Sequence, residues 1–209
     1  MRLARRGAFL AIALLGRTLR TRIYEYLVRF LKLVYWQSLA GKIKKSGSDS
    51  FIEYPCMLSG GQYITLGDHF RARSGLRMEA ICSHGGHSYS PEITIGRDVS
   101  LESDCHIGCV NKIIIGDNVL IASRVFITDH SHGEISAEAL TLPPGLRPII
   151  SKGPVIIEEN VWIGEGVAIM PNVTIGRNAI IGANSVVTRN VPPNAVMGGI
   201  PARLIRMLA

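Results

Sequence analysis

Aromatic residues are scarce in this chain, at 6% of 209 residues. A helix-rich core of ordinary make-up would hold more of them, and fewer glycines than the 22 present. Proline is absent before Pro55, and Glu25 is the only acidic residue among the first 45. Cysteine is limited to Cys56, Cys82, Cys105 and Cys109, with no CxxC spacing. That excludes a disulfide-built scaffold or a paired-cysteine zinc site, and it predicts reduced, mostly buried thiols in a reducing compartment. No G-x-G-x-x-G or P-loop is present, so a nicotinamide enzyme or a nucleoside-triphosphatase is not supported. No apolar run approaches the roughly 20 residues a membrane span needs.

The charge is unevenly placed. Residues 1–45 hold eleven Lys or Arg, a net +10, whereas 46–209 carry a net −3. An acidic body excludes a protein that coats nucleic acid over its surface. The basic segment 1–45 reads as helix. Its apolar stretch Ala8–Leu15 follows Arg2, Arg5 and Arg6, but basic residues continue after it and no clear small-x-small cleavage site is followed by a secreted-looking domain, so a signal peptide is not expected. Leu27, Phe30, Leu31 and Val34 alternate with Arg22, Arg29 and Lys32, and Tyr24, Tyr26, Tyr35 and Trp36 suit a boundary zone. This segment is expected either to contact an anionic membrane surface or to pack on its own protein.

A period of six dominates the rest. Ile157, Ile163, Ile169, Ile175, Ile181 and Val187 recur without a slip. Val161, Val167, Val173, Ala179 and Ser185 form a second register. Ile95, Leu101 and Ile107 repeat the pattern, then Ile115, Ile121 and Ile127, with an earlier trace at Leu66, Ala72 and Met78. Six fits neither a helix nor plain strand alternation. It fits an all-β solenoid of triangular coils, each side one short strand and a turn, with the repeated aliphatic pointing inward. Gly and the asparagines Asn111, Asn118, Asn160, Asn172, Asn178, Asn184 and Asn190 are expected at corners. From Leu66 to Pro192 there is room for about five or six coils. The chain thus reads as a helical segment at 1–45 and a repeat domain at 46–206.

Two excursions interrupt the repeat, a polar one at 83–92 and a longer one at 129–154 with four prolines. The second leaves the repeat just after Thr128 and opens with Asp129, His130, Ser131, His132, Gly133 and Glu134. On residue types alone, this stretch allows a metal site, a general base or a solvated loop. The spacing matches no closed structural zinc site and lacks HExxH, so no metal is expected.

The hexads, with the segment VWIGEGVAIMPNVTIGRNAIIGANSVVTRNVPPNAVMGGIPARLIR, resemble the hexapeptide-repeat acyltransferase superfamily. The likeness covers about residues 60–206 and is nearest to the polysaccharide and lipopolysaccharide O-acetyltransferases and the galactoside, maltose and serine acetyltransferases. It implies a left-handed parallel β-helix, a homotrimer with active sites between subunits, and acetyl-CoA as cosubstrate. In that family the catalytic histidine follows the last repeat position before a loop in a T-x-H context, which is Thr128-Asp129-His130 here. The family often continues with proline, where this chain has Ser131. The resemblance thus implies His130 as general base, a role for which histidine's pKa near 7 suits it. Asp129 or Glu134 would orient its ring, and His132 is the competitor.

Asp104 and His106, one coil earlier, match a region that holds the acceptor hydroxyl in sugar acetyltransferases. His84 and His87 in the short excursion are further acceptor candidates. Coenzyme contacts carried over from the resemblance are Trp162, Gly164, Glu165, Ala183, Thr188, Arg189 and Arg206. Glu165 departs from the small polar residue usual at its place. The expected function is O-acetylation of a sugar hydroxyl on a lipid-linked or activated surface-polysaccharide precursor, in the cytoplasm at the inner face of the cell membrane. A free small molecule or an amino sugar is the alternative acceptor. Outside the class stand a non-catalytic trimeric scaffold and a zinc-dependent, carbonic-anhydrase-like protein.

Overall fold

The computed structural model describes residues 12, 16, 22–134 and 136–208. The chain forms two compact units, Met1–Ser38 and Leu39–Ala209. The stretch Ala8–Leu15, apart from Ile12, lies outside the described residues, as do Arg2, Arg5 and Arg6. The described part of the first unit is dominated by an α-helix, Arg22–Ala40. It contains no Gly or Pro and is rich in leucine, as a stable helix requires.

The second unit is a three-sided prism. Parallel strands stack into three sheets, one per face. Lys45–Ser46, Phe51–Ile52 and Met57–Ser59 make the first coil, and Thr174–Ile175, Ile180–Ile181 and Val186–Val187 the sixth. Val191, bridged to Ile175, opens a seventh, Ala195–Gly198 continues it on the second face, and Arg203–Met207 folds back antiparallel on that strand. The prism therefore starts a coil before the first hexad trace at Leu66. The starting coil offers only Ile52 and Leu58 at the six-residue spacing, and the first-face position is Ser46, so the repeat is too short to stand out there.

The hexads are the core. Leu66, Ile95, Ile115, Ile157 and Ile175 stand in register down the first face. Met78, Ile107, Ile127, Ile169 and Val187 do the same down the third. Each is at most 1% exposed, so each coil buries its interior only against its neighbours. Ile107→Ala removes a fully buried side chain from the middle of a ladder. It should cost about 2–5 kcal/mol, read as a lower denaturation midpoint.

Corners need left-handed backbone. Asn118, Asn160, Asn172, Asn178 and Asn184 supply it, each with φ between 56° and 61°. Asn111 and Asn190 do not. Asn190 instead accepts the Thr174 N–H through Oδ1 at 2.8 Å, and Asn111 lies where the chain passes from the third face to the first. Asp49, His69, Asp98, Asp104, Arg124 and Asn194 hold left-handed corners. Asp and His tolerate that conformation almost as well as Asn, which blurs the sequence signal.

Both excursions carry structure of their own. The short one is a hairpin, Ser83–His84 with His87–Ser88. It ends earlier than expected, because Glu92 already belongs to the next first-face strand, paired with Lys112. The long one is closed at its base by an antiparallel pair, His130–His132 with Ile149–Ser151. Two 3-10 turns, Glu138–Thr141 and Pro144–Leu146, lie between.

Candidate active site

The third face ends at Thr128 in the fourth coil, and the next residue turns inward. Asp129 is fully buried. Its carboxylate accepts the backbone N–H groups of Val110 at 3.0 Å, and of Asn111 and Lys112 at 2.8 Å each. The Cys109 thiol donates to it at 3.4 Å, and His130 Nδ1 lies 3.0 Å from Oδ1. Burial opposes ionisation of this group. The bonds from His130, Val110 and Asn111 outweigh burial, and its pKa falls below the ordinary carboxylate value. A buried carboxylate that keeps its charge fixes what its neighbours must donate.

His130 is therefore held from one side. Nδ1 carries the proton that Asp129 accepts, which leaves the lone pair on Nε2. The side chain is 12% exposed. Its backbone N–H donates to Thr128 Oγ1 at 3.3 Å, and that hydroxyl lies 3.2 Å from Nδ1. The pairing of His130 with Ser151 fixes the backbone. Glu134 is exposed, and none of the described hydrogen bonds joins it to His130; the orienting carboxylate of this geometry is Asp129.

A cavity of about 340 Å³ opens beside the ring. Gly108 forms its floor. A methyl group there would stand 3.2 Å from His130 Cε1, 3.6 Å from His106 Nε2 and 3.9 Å from His130 Nε2. The missing side chain thus keeps two imidazoles facing one space. His106 Nε2 meets Glu79 Oε2 at 3.2 Å, and Arg77 Nε meets the same oxygen at 2.5 Å. Burial, then the Arg77 charge, lowers the pKa of His106, which favours its neutral form.

The two excursions wall the cavity. His84 from the short one meets His132 from the long one edge to face, with ring centroids 5.3 Å apart. Tyr89 Oη accepts the Ile149 N–H at 3.0 Å. His84 Nε2 is buried without a hydrogen-bond partner, and an unmet buried polar atom beside a cavity is a natural contact for a ligand.

His130, His132, His106 and His84 thus come together. Asp104 does not join them. It holds a corner at φ 61°, with its carboxyl against Gly75. His87 is exposed at the far strand of its hairpin. Glu79 was not singled out from the sequence. Counting the ladder would have found it, because Met78, Ile107 and Ile127 are in register and Glu79, Gly108 and Thr128 each follow one of them. Burial pushes the Cys105 thiol up to about 11 and raises Cys109 further, so both stay protonated. Among the described residues, no group of three or more His, Cys, Asp or Glu is placed to hold a metal.

A family model described as bacterial transferase hexapeptide, six repeats, matches residues 154–189. WbbJ of Escherichia coli (strain K12), provisionally named a lipopolysaccharide biosynthesis O-acetyl transferase, is 35% identical over 159 residues, which cover 74% of this chain and 77% of WbbJ. This chain belongs to the hexapeptide-repeat acyltransferases. A galactoside acetyltransferase solved in complex with coenzyme A is 31% identical, with a TM-score of 0.52 over 82% of this chain and 68% of that one. A mutant of AntD, an N-acyltransferase from Bacillus cereus solved with dTDP-4-amino-4,6-dideoxyglucose and coenzyme A, gives a TM-score of 0.67 at 21% identity, over 83% and 88% of the two chains. At that identity it speaks for the fold alone. As a member of this family, the hexapeptide-repeat protein described here is a left-handed β-helix and an acetyl-CoA-dependent acyltransferase.

The residues expected to meet the coenzyme are spread along two faces of the prism. Glu165 pairs with Arg124, so it sets no lone negative charge at its corner. Ala183, Thr188, Arg189 and Arg206 are exposed. A Cβ on Gly164 would lie 2.7 Å from the backbone of Ala183, so only glycine lets those corners stack so closely. Trp162 is 51% exposed on the second face. Trp162, Gly164, Glu165 and Ala183 lie on or just after the second face, whereas His130 and Thr188 follow the third. A single prism does not gather them into one cleft.

Proposed function

We propose that this enzyme transfers acetyl from acetyl-CoA to a hydroxyl of a sugar, in a lipid-linked or activated precursor of a surface polysaccharide, with His130 as general base. The buried Asp129–His130 pair facing the cavity carries this reading. Bound acetyl-CoA supplies a carbonyl activated as a thioester. His130 Nε2 takes the proton of the acceptor hydroxyl as its oxygen forms the new ester bond. Asp129 stabilises the imidazolium through Nδ1. As the carbon–sulfur bond breaks, the same Nε2 returns the proton to the leaving sulfur. Glu79, His106 and His84 line the acceptor side, where their polar atoms are placed to read sugar hydroxyls.

The coenzyme would be held by Trp162, Gly164, Glu165, Ala183 and Thr188, with Arg189 and Arg206 toward its phosphates. Trp162, Gly164, Glu165 and Ala183 lie on or just after the second face of one prism, and the base follows the third. The reading requires a homotrimer, which would set one prism's second-face corner against another's third. The reaction then belongs on the cytoplasmic side, where acetyl-CoA is found.

Two experiments test the acceptor side. Gly108→Val puts a branched side chain between the two imidazoles. It should lower acetyl transfer by about 10²-fold, the usual effect of displacing an aligned reactant, while coenzyme binding persists. Transfer at the parent rate would place the acceptor elsewhere. Glu79→Gln keeps the shape but removes the charge. It should raise the acceptor KM by about tenfold, the worth of one hydrogen bond to a charged group, with a smaller change in kcat. An unchanged KM would remove Glu79 from acceptor recognition.

A further inference from the structure

The helix Arg22–Ala40 sorts its side chains sharply. At about 100° per residue, Leu33, Tyr26, Phe30, Val34, Leu27 and Leu31 fall within one arc of roughly 160°. All six are more than half exposed. Glu25, Arg29 and Lys32 fall on the opposite side. An exposed apolar face of this size on a stable helix calls for an apolar medium.

We propose that this helix lies in the plane of an anionic lipid surface, its apolar arc sunk into the headgroup and acyl boundary. This deepens the reading above, since it names the surface that would present a lipid-linked acceptor. Charge argues for lipid over a second copy of the chain. The 45 residues around the helix carry a net +10 while the rest carries −3. Two such segments repel each other, and both are drawn to acidic headgroups. The helix does not cross the membrane. It is long enough at about 28 Å, but Glu25, Arg29 and Lys32 would sit within the hydrocarbon. Among the described residues no helix is long and apolar enough to span. Tyr24 and Tyr26, near the helix start, suit the interfacial zone.

The test is sedimentation of the full chain with vesicles. One set is phosphatidylcholine mixed with phosphatidylglycerol, the other pure phosphatidylcholine. Binding should favour the acidic set and weaken as salt is raised. The double variant Phe30→Glu, Leu31→Glu should bind the acidic set at least about tenfold more weakly. Coenzyme A binding by the same variant shows that the prism is folded. Equal recovery with both vesicle sets, a variant that binds like its parent, or concentration-dependent self-association through the helix in place of vesicle binding would each overturn the proposal. No acyl acceptor is needed, so loss of vesicle binding and loss of acetyl transfer are separate results.

Discussion

His130→Ala should lower acetyl transfer by about 10²–10⁴-fold while leaving coenzyme A binding intact. That range is what a positioned general base contributes. The substitution removes Nε2 from the cavity but leaves Asp129 bonded to three backbone N–H groups, so the fold should survive. The check is the rate of thiol release from acetyl-CoA at saturating acceptor, together with a coenzyme titration. His132→Ala is the companion. Its ring packs on His84 rather than on a buried carboxylate, so it should change the acceptor KM more than kcat. If the two variants exchanged these effects, the base would be His132.

The second large effect is expected at Asp129. Asp129→Ala would strip a partner from Val110, Asn111, Lys112 and His130 together. The buried Val110 N–H costs about 1–3 kcal/mol when stranded, and the part-buried Asn111 and Lys112 N–H groups add to it, so the loss of stability should reach about 3 kcal/mol. Asp129→Asn separates the roles. Its amide still fills the space, but it has one acceptor oxygen where the carboxylate has two. It also no longer compels Nδ1 to carry the proton, so transfer should fall by about 10²-fold or more. Because Asp129's pKa is depressed, its stabilisation is present above the unfolded value of about 3.9. It is lost as pH falls below that value, through the lower folded one. Acid unfolding of the parent should therefore be steeper than that of Asp129→Asn. Parallel acid profiles would show that the carboxylate's charge contributes nothing.

Much of the prism was legible because burial and period coincide. Ile121, Ile163 and Ile181 are buried to within 1% and six-residue counting names them without structure. The first coil was not legible, since Lys45–Ser46 and Phe51–Ile52 are held by pairing to a coil that comes later. Corners were legible only in part. The left-handed turns at Arg124 and His69 rest on stacking between coils, which composition does not report. At the site, Asp129 and His130 stood out as ionisable residues where an aliphatic run ends. Choosing Asp129 over Glu134 needed the inward turn that sets its carboxylate on the N–H groups of Val110, Asn111 and Lys112, where the third coil passes into the fourth. Glu79 lies two coils away along the chain, and only the ladder places it at the same cavity.

The central claim is that acetyl moves to a sugar oxygen under His130 catalysis. The most direct test is to incubate the purified enzyme with radiolabelled acetyl-CoA and a membrane glycolipid fraction, then treat the labelled product with mild alkali. The account predicts label on the glycan that requires the fraction, is lost in His130→Ala and is released by alkali, as an ester is. Label that survives alkali would be an amide and would identify an amino sugar as acceptor. Label that persists in His130→Ala would contradict the assignment of the base.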